Sequence, residues 1–386
     1  MDKHNLSLFL VLLGVAIIPF LARRLRVPSA ALEIVYGALL FNFFILHRPE
    51  WFELLREIGF IYLMFIAGME LDLRSIRKSG RSAWYVLISL LSFTVTPLLF
   101  VLFGQPFFVG VAVAMISAGI VIPVLKESEL MKSRLGKDLI GLALTGELLS
   151  ILVLTFIDAY HHYGPTLNAA FALLKLALLF GLALLVLKLL YLLAWWHPER
   201  VSKVMESEDP VEEGIRIIVT VAFAGGILAA LAGAEPILGS FLAGMIFSHV
   251  FKSKGRFEEK INAVGFGFLI PFFFIGVGSQ LDFALLASPA TVLGALALTL
   301  MVLVSNIYPL LLARPLRLSL LEASGMSILL SAPLSMIVVA GTLGQKMGLL
   351  SDEMIGTLIL TALLASVIYP SLFRPLGKRI AAEKAP

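Results

Sequence analysis

Runs of about nineteen apolar residues recur about thirteen times along this chain, each long enough as a helix, at a rise of about 1.5 Å per residue, to cross a bilayer. They lie near 6–22, 28–46, 53–71, 82–103, 106–125, 137–159, 166–196, 214–233, 236–251, 261–281, 289–313, 319–345 and 353–373. Lipid offers backbone groups no hydrogen-bond partner, so a spanning segment must be a helix or a strand of a closed barrel. Long apolar runs without strict alternation select the helix. The composition, 59% hydrophobic and 15% charged with a mean hydropathy of +0.98, excludes a soluble globular protein. The expected fold is an all-α polytopic membrane protein. Leu6 to Leu21 is read as a first span and not as a signal peptide, because Arg23, Arg24 and Arg26 follow it without a small-residue cleavage site. With no cysteine there is no disulfide framework and no thiolate metal site.

Placing these helices alternately up and down sorts the basic loops. Arg23 to Arg26, Arg74 to Arg81, Lys126 to Lys137, Arg200 to Arg216, Lys252 to Lys260, Arg314 with Arg317, and Arg374 to Lys384 all fall on one side. Lys3, Arg48, Arg56 and Lys346 fall on the other, and Lys175 and Lys188 lie within the seventh helix. The rule that basic loops stay cytoplasmic then predicts an external N-terminus and a cytoplasmic C-terminus. The net charge of +4 belongs to these loops, and no nucleic-acid surface is expected. The polar stretch 197–213 reads as a linker between two halves of about six helices each, the pattern of an inverted repeat. No soluble domain is expected after Arg379.

Within the run from Gly136 to Asp158 stands one carboxylate, Glu147, near the middle of the predicted helix. A charge at that depth is costly and marks a candidate functional site. The helix before it is interrupted at Ser117, Ala118 and Gly119, then Pro123; the twelfth is interrupted at Ser331, Ala332, Pro333 and Ser335. Paired interruptions at corresponding places of two halves point to a transporter's binding site, where half-helix ends and freed carbonyls can coordinate an ion. Thr145, Ser117, Gly119, Ser335, Ser305 and Asn306 are candidate oxygen donors beside Glu147 for an alkali cation, a hard ion that prefers oxygen. No cofactor is expected.

The chain resembles the monovalent cation:proton antiporter-2 family, the bacterial sodium/proton and potassium/proton exchangers and potassium-efflux transporters, over nearly its whole length. The resemblance rests on FIAGMELDLRSI (65–76), Glu33 with Gly37 in LEIVYGALL, GSFLAGMIFS (239–248) and PFFFIGVGSQLD (271–282). It implies thirteen helices, a homodimer, and two broken helices crossing beside the ion site. The dimerisation helices would be around 6–46 and 166–251 and the core helices around 82–159 and 289–373. It also implies an acidic residue in the helix after the first break, which lands on Glu147. Three departures stand out. The carboxylate is Glu where Asp is usual, and its neighbour, often polar, is Gly146. A Lys common in the family is replaced at Ser305 and Asn306, and the second broken helix carries SAPLS (331–335) in place of a polar, often acidic motif.

A carboxylate in low dielectric is held back from ionising, so a proton and a cation can compete for one group and thereby exchange. With one carboxylate and no partner Lys, the expectation is electroneutral exchange of Na⁺ or K⁺ for H⁺ by alternating access. Two other readings stay open: an ion-coupled organic-anion transporter on the same fold, and a transport-inactive regulatory membrane subunit. An enzyme is not expected, since no HExxH, GxSxG or P-loop motif is present. Asp158, Glu70, Asp72 and Asp282 are expected at solvated helix ends. His161 and His162 are expected in an outer loop, His249 on the cytoplasmic side, and Lys175 and Lys188 snorkelling or paired at a dimer interface.

Overall fold

The computed structural model describes residues 3–25, 27–45, 48–70, 81–131, 133–164, 213–231, 236–250, 255–281 and 288–383, with a few single positions between. Every regular element among them is a helix. In chain order these are α1 (Lys3–Leu25), α2 (Ser29–Phe43), α3 (Glu50–Glu70), α4 (Ser82–Leu102), α5 (Phe107–Val113), α6 (Val121–Glu127) and α7 (Arg134–Tyr163). There follow α8 (Glu213–Leu231), α9 (Pro236–Val250), α10 (Gly255–Val264), a π turn (Gly265–Leu269) and α11 (Ile270–Gly278). The last are α12 (Pro289–Ser305), α13 (Tyr308–Leu311), α14 (Leu320–Leu330), α15 (Leu334–Lys346) and α16 (Asp352–Glu383). Among the described residues eight stretches are long and apolar enough to cross a membrane, and two shorter apolar helices cover Ser29–Phe43 and Pro236–Ser248. This is a multi-pass, all-α membrane protein.

Three runs that read as single helices in the sequence are divided. The first two are the expected breaks, α5 from α6 and α14 from α15. The third separates α12 from α13 at Asn306 and Ile307, inside the run 289–313. The run 261–281 carries the π turn, and α16 continues ten residues past 373 through Pro370 and Pro375. Of the seventh expected helix, 166–196, only single positions are described, and the linker 197–212 lies outside the described residues.

The chain separates into two compact units. One comprises Met1–Ile17, Ile45–Asp72 and Thr155–Gly276. In it α9 packs on α3 and α8, and α3 lies against the π turn. The GSFLAG motif explains the closeness of α8 and α9, because a Cβ placed on Gly225 would stand only 2.6 Å from the carbonyl oxygen of Gly239. Small residues at such crossings let helix backbones approach where lipid supplies no hydrophobic drive.

The other unit comprises Ile18–Phe44, Leu73–Leu154 and Val277–Pro386. It includes α2. Here α5 packs on α4, α12 and α15, while α12, α14 and α15 pack on α16. Helix α12 shows the pattern of a span with one face in lipid: Leu293, Leu296, Leu300 and Val304 are exposed along one stripe, and Ala295, Thr299 and Val302 are buried. Ser319 opens α14 with a capping box, accepting from the Glu322 N–H while the Glu322 carboxylate accepts from the Ser319 N–H. At the start of α7 Asp138 is buried, paired with Arg81 and hydrogen-bonded by the Tyr85 hydroxyl at 2.7 Å, which ties α7 to α4.

Candidate functional site

Helix α7 sets the site. Ser133 caps its start by accepting from the Gly136 N–H at 3.0 Å, and the apolar run that follows carries Glu147 to mid-helix. There the carboxylate is 2% exposed. It faces the interruption between α5 and α6: Ser117 Oγ donates to Glu147 Oε1 at 3.2 Å, and the Ala118 N–H lies 3.4 Å from Oε2. Both expected breaks meet at this point, because Ser117 Oγ is also 2.8 Å from Ser335 Oγ at the start of α15. Gly119, beside them, is exposed and turns its N–H to Ser117 Oγ at 3.3 Å.

An interrupted helix in an apolar interior leaves backbone groups that must find partners. Side chains of the neighbouring helices supply them. Ser150, one turn after Glu147, accepts from the Ile116 N–H at 3.1 Å and can donate to Gly146 O at 2.8 Å or Ile116 O at 3.2 Å. Ser305 Oγ lies 3.2 Å from Val113 O, the carbonyl that ends α5, and Ser92 Oγ donates to Ser305 O at 2.7 Å. The second break is held likewise, with Ser331 Oγ 2.8 Å from Ser327 O and 3.4 Å from Val302 O. Asn306 Nδ2 reaches the same Val302 O at 3.0 Å and Ser305 Oγ at 3.2 Å, and its Oδ1 has no partner among the described residues although Asn306 is 1% exposed.

The structure therefore brings Glu147, Ser117, Ala118, Gly119 and Ser335 together. It gives Ser305, Asn306 and Ser331 to a neighbouring polar cluster around Val302 O. Thr145 is buried, and its hydroxyl donates to Gly141 O one turn back at 2.7 Å. Ala332 and Pro333 form the buried bend before α15. Pro123 falls inside α6 with its side chain outside the described residues. Sequence reasoning passed over Ser150 and Ser92. Ser150 was within reach of it, since it stands three residues after Glu147 on the same helix face; nothing in the sequence pairs Ser92 with Ser305.

The departure at Gly146 has a steric cause. A Cβ there would lie 2.6 to 2.8 Å from the Cγ2, Cβ and Cδ1 atoms of Ile116. The interrupted strand of chain leans on α7 so closely that only glycine fits beside Glu147.

Among the other expected residues, Asp158 is partly buried with His162 Nδ1 at 3.2 Å, and His161 and His162 are exposed at the end of α7. Asp72, Asp282, Lys175 and Lys188 lie outside the described residues, as do the side chains of Glu70 and His249. Among the described residues no cluster of three or more His, Asp or Glu side chains suits a transition metal. Here the site offers one carboxylate and two hydroxyl oxygens, with the Ala118 N–H as a donor to the carboxylate.

Known proteins share this arrangement of chain. The sodium proton antiporter MjNhaP1 from Methanocaldococcus jannaschii superposes with a TM-score of 0.69 over 98% of both chains at 15% identity, a likeness of fold. YjbQ of Bacillus subtilis is 31% identical over 97% of this chain, which spans 63% of the length of that relative. The Na(+)/H(+) antiporter of Enterococcus hirae is 26% identical over 97% of this chain and 98% of its own. The glutathione-regulated potassium-efflux system protein KefC of Enterobacter is 26% identical over 96% of this chain and 60% of its own. The family of sodium/hydrogen exchanger transmembrane proteins matches residues 9–379, nearly the entire sequence, and the chain belongs to that family.

Proposed function

We propose that this protein is a secondary antiporter that exchanges a monovalent cation, Na⁺ or K⁺, for H⁺ at Glu147. The observation that carries the reading is the contact of one buried carboxylate with both helix breaks, through Ser117 at 3.2 Å and Ser117 to Ser335 at 2.8 Å. The names of the relatives from Enterococcus and Enterobacter, a Na(+)/H(+) antiporter and a potassium-efflux protein, support the choice of ions.

The hydroxyl pair suits a group that changes charge. With Glu147 ionised, the Ser117 O–H points to the carboxylate, and Ser335 can donate to Ser117. With Glu147 protonated, its own O–H donates to Ser117, whose hydrogen turns to Ser335. Either state keeps every hydroxyl bonded by rotation alone, so neither is locked in. A cation taking the place of the proton draws on Glu147, Ser117 and Ser335 as oxygen ligands. Proton and cation then compete for one carboxylate, and one leaves as the other binds. With Ser305 and Asn306 standing where the family often carries Lys, we read the exchange as one for one and electroneutral. Alternating access presents Glu147 to each side of the membrane in turn.

The motif FIAGMELDLRSI and the likeness to KefC support membership of the antiporter-2 branch. We take the core helices around 82–159 and 289–373 to move against dimerisation helices in a homodimer, with the N-terminus outside and the C-terminus cytoplasmic. The test is proton flux in proteoliposomes given Na⁺, K⁺ or Li⁺. Wild-type protein is expected to dissipate a pH gradient with at least one of these ions and Glu147→Gln with none. Full flux in the Gln variant would remove Glu147 from the mechanism.

A further inference from the structure

Four carboxylates are buried among the described residues: Glu33, Asp138, Glu147 and Glu322. Three of them are partnered. Asp138 holds Arg81 and Tyr85, Glu147 takes Ser117 and Ala118, and Glu322 closes the capping box with Ser319. Glu33, 3% exposed in the middle of the apolar helix α2, makes no hydrogen bond or ion pair with any described residue.

Its surroundings offer little to compensate a charge. On its own helix Ala31, Ile34, Gly37, Ala38 and Leu40 are buried, and the titratable neighbour there is Tyr36. The end of α11 presses on α2 so closely that a Cβ on Gly278 would strike the backbone at Ile34 and Ala38; no titratable group lies on α11. From α16, which also packs on α2, the titratable and charged groups are Asp352, Glu353, Tyr369, Arg374, Lys378, Arg379 and Glu383. None pairs with Glu33, and the Tyr369 hydroxyl is committed to Thr299 O at 2.6 Å.

An ionised carboxylate in such a place would have neither a counter-charge nor a hydrogen-bond donor among the described residues, and a buried charge is retained only where it is paired. An alkali cation would need several oxygens around it, and Glu33 has no polar side chain in hydrogen-bond contact. We infer that Glu33 is a second proton-binding site of this chain, separate from Glu147. It is occupied by H⁺ in this conformation and titrates during turnover, so that the exchange rate responds to pH through a group that carries no cation.

Two measurements test this. The first is the infrared C=O stretch of buried carboxylic acids in membranes of purified protein, in H₂O and D₂O, which needs no transport. In Glu147→Gln a buried-acid band is expected to remain, and adding Glu33→Gln is expected to remove it. Glu33→Asp, which keeps a carboxyl group, is expected to retain a displaced band and guards against a folding defect in the Gln variant. The second is the pH profile of cation-driven flux, where Glu33→Gln in the otherwise native chain is expected to lose one protonation step while keeping its cation KM. A band unaffected by Glu33→Gln, or a pH profile superposed on that of the native chain, would overturn the inference. Failure of the antiport reading would show separately, as absence of cation-driven flux in the native chain.

Discussion

Glu147 and Gly146 show how adjacent residues can differ in what they demand of their surroundings. The carboxylate needs donors and finds Ser117 and Ala118. The glycine needs only to be small, because Ile116 occupies the space a side chain would fill. Gly146→Ala is expected to lower stability by about 1–3 kcal/mol, the usual cost of forcing an extra carbon into a packed interior. It should appear as a lower unfolding midpoint of the detergent-solubilised protein, and Gly146→Asn should be worse despite restoring a polar neighbour to Glu147. The special standing of Glu147 was legible from its depth in an apolar run. The reason for its neighbour was not, since Ile116 is thirty residues away in sequence and meets Gly146 only after α5 and α7 have packed.

At the scale of elements, a broken helix persists in an apolar interior only if the freed backbone groups are satisfied, and here serines do that work. Ser150 meets Ile116, Ser305 meets Val113, and Ser331 reaches toward Val302. Ser150→Ala strands the Ile116 N–H, a buried donor whose lost partner costs about 1–3 kcal/mol. A thermal melt of this variant is expected to shift downward, whereas Ser150→Thr, which retains the hydroxyl, should recover part of the loss if its methyl is accommodated. Both expected interruptions were legible from Ser, Gly and Pro inside apolar runs. The break after α12 at Asn306 has the same kind of cause, since Pro309 cannot donate to Ser305 O and its ring clashes with that carbonyl, but a single Pro late in an apolar run does not by itself mark where the helix stops.

For the molecule as a whole, the question is how much net charge one cycle moves. One proton exchanged for one monovalent cation at a single carboxylate moves none. Carrying a net unit charge would couple the rate to voltage by about 2.3 kcal/mol per 100 mV. Flux in proteoliposomes is therefore expected to be indifferent to an imposed membrane potential at fixed pH and cation gradients. A steep voltage dependence would require a second charge to travel with the first.

The sequence by itself determined that this chain lives in a membrane, that it is helical, where most of its spans lie, and where a mid-helix carboxylate and two helix interruptions fall. Those conclusions follow from local rules: lipid cannot satisfy a bare backbone, and a carboxylate inside a long apolar run stands out against its neighbours. Tertiary structure alone decided which oxygens face Glu147, why its neighbour is glycine, and that Glu33 is the buried acid without a partner among the described residues. Each of these depends on contacts between residues far apart in the chain. The distances that matter, 2.8 Å from Ser117 to Ser335 and 3.2 Å from Ser305 to Val113, exist only once the helices have crossed.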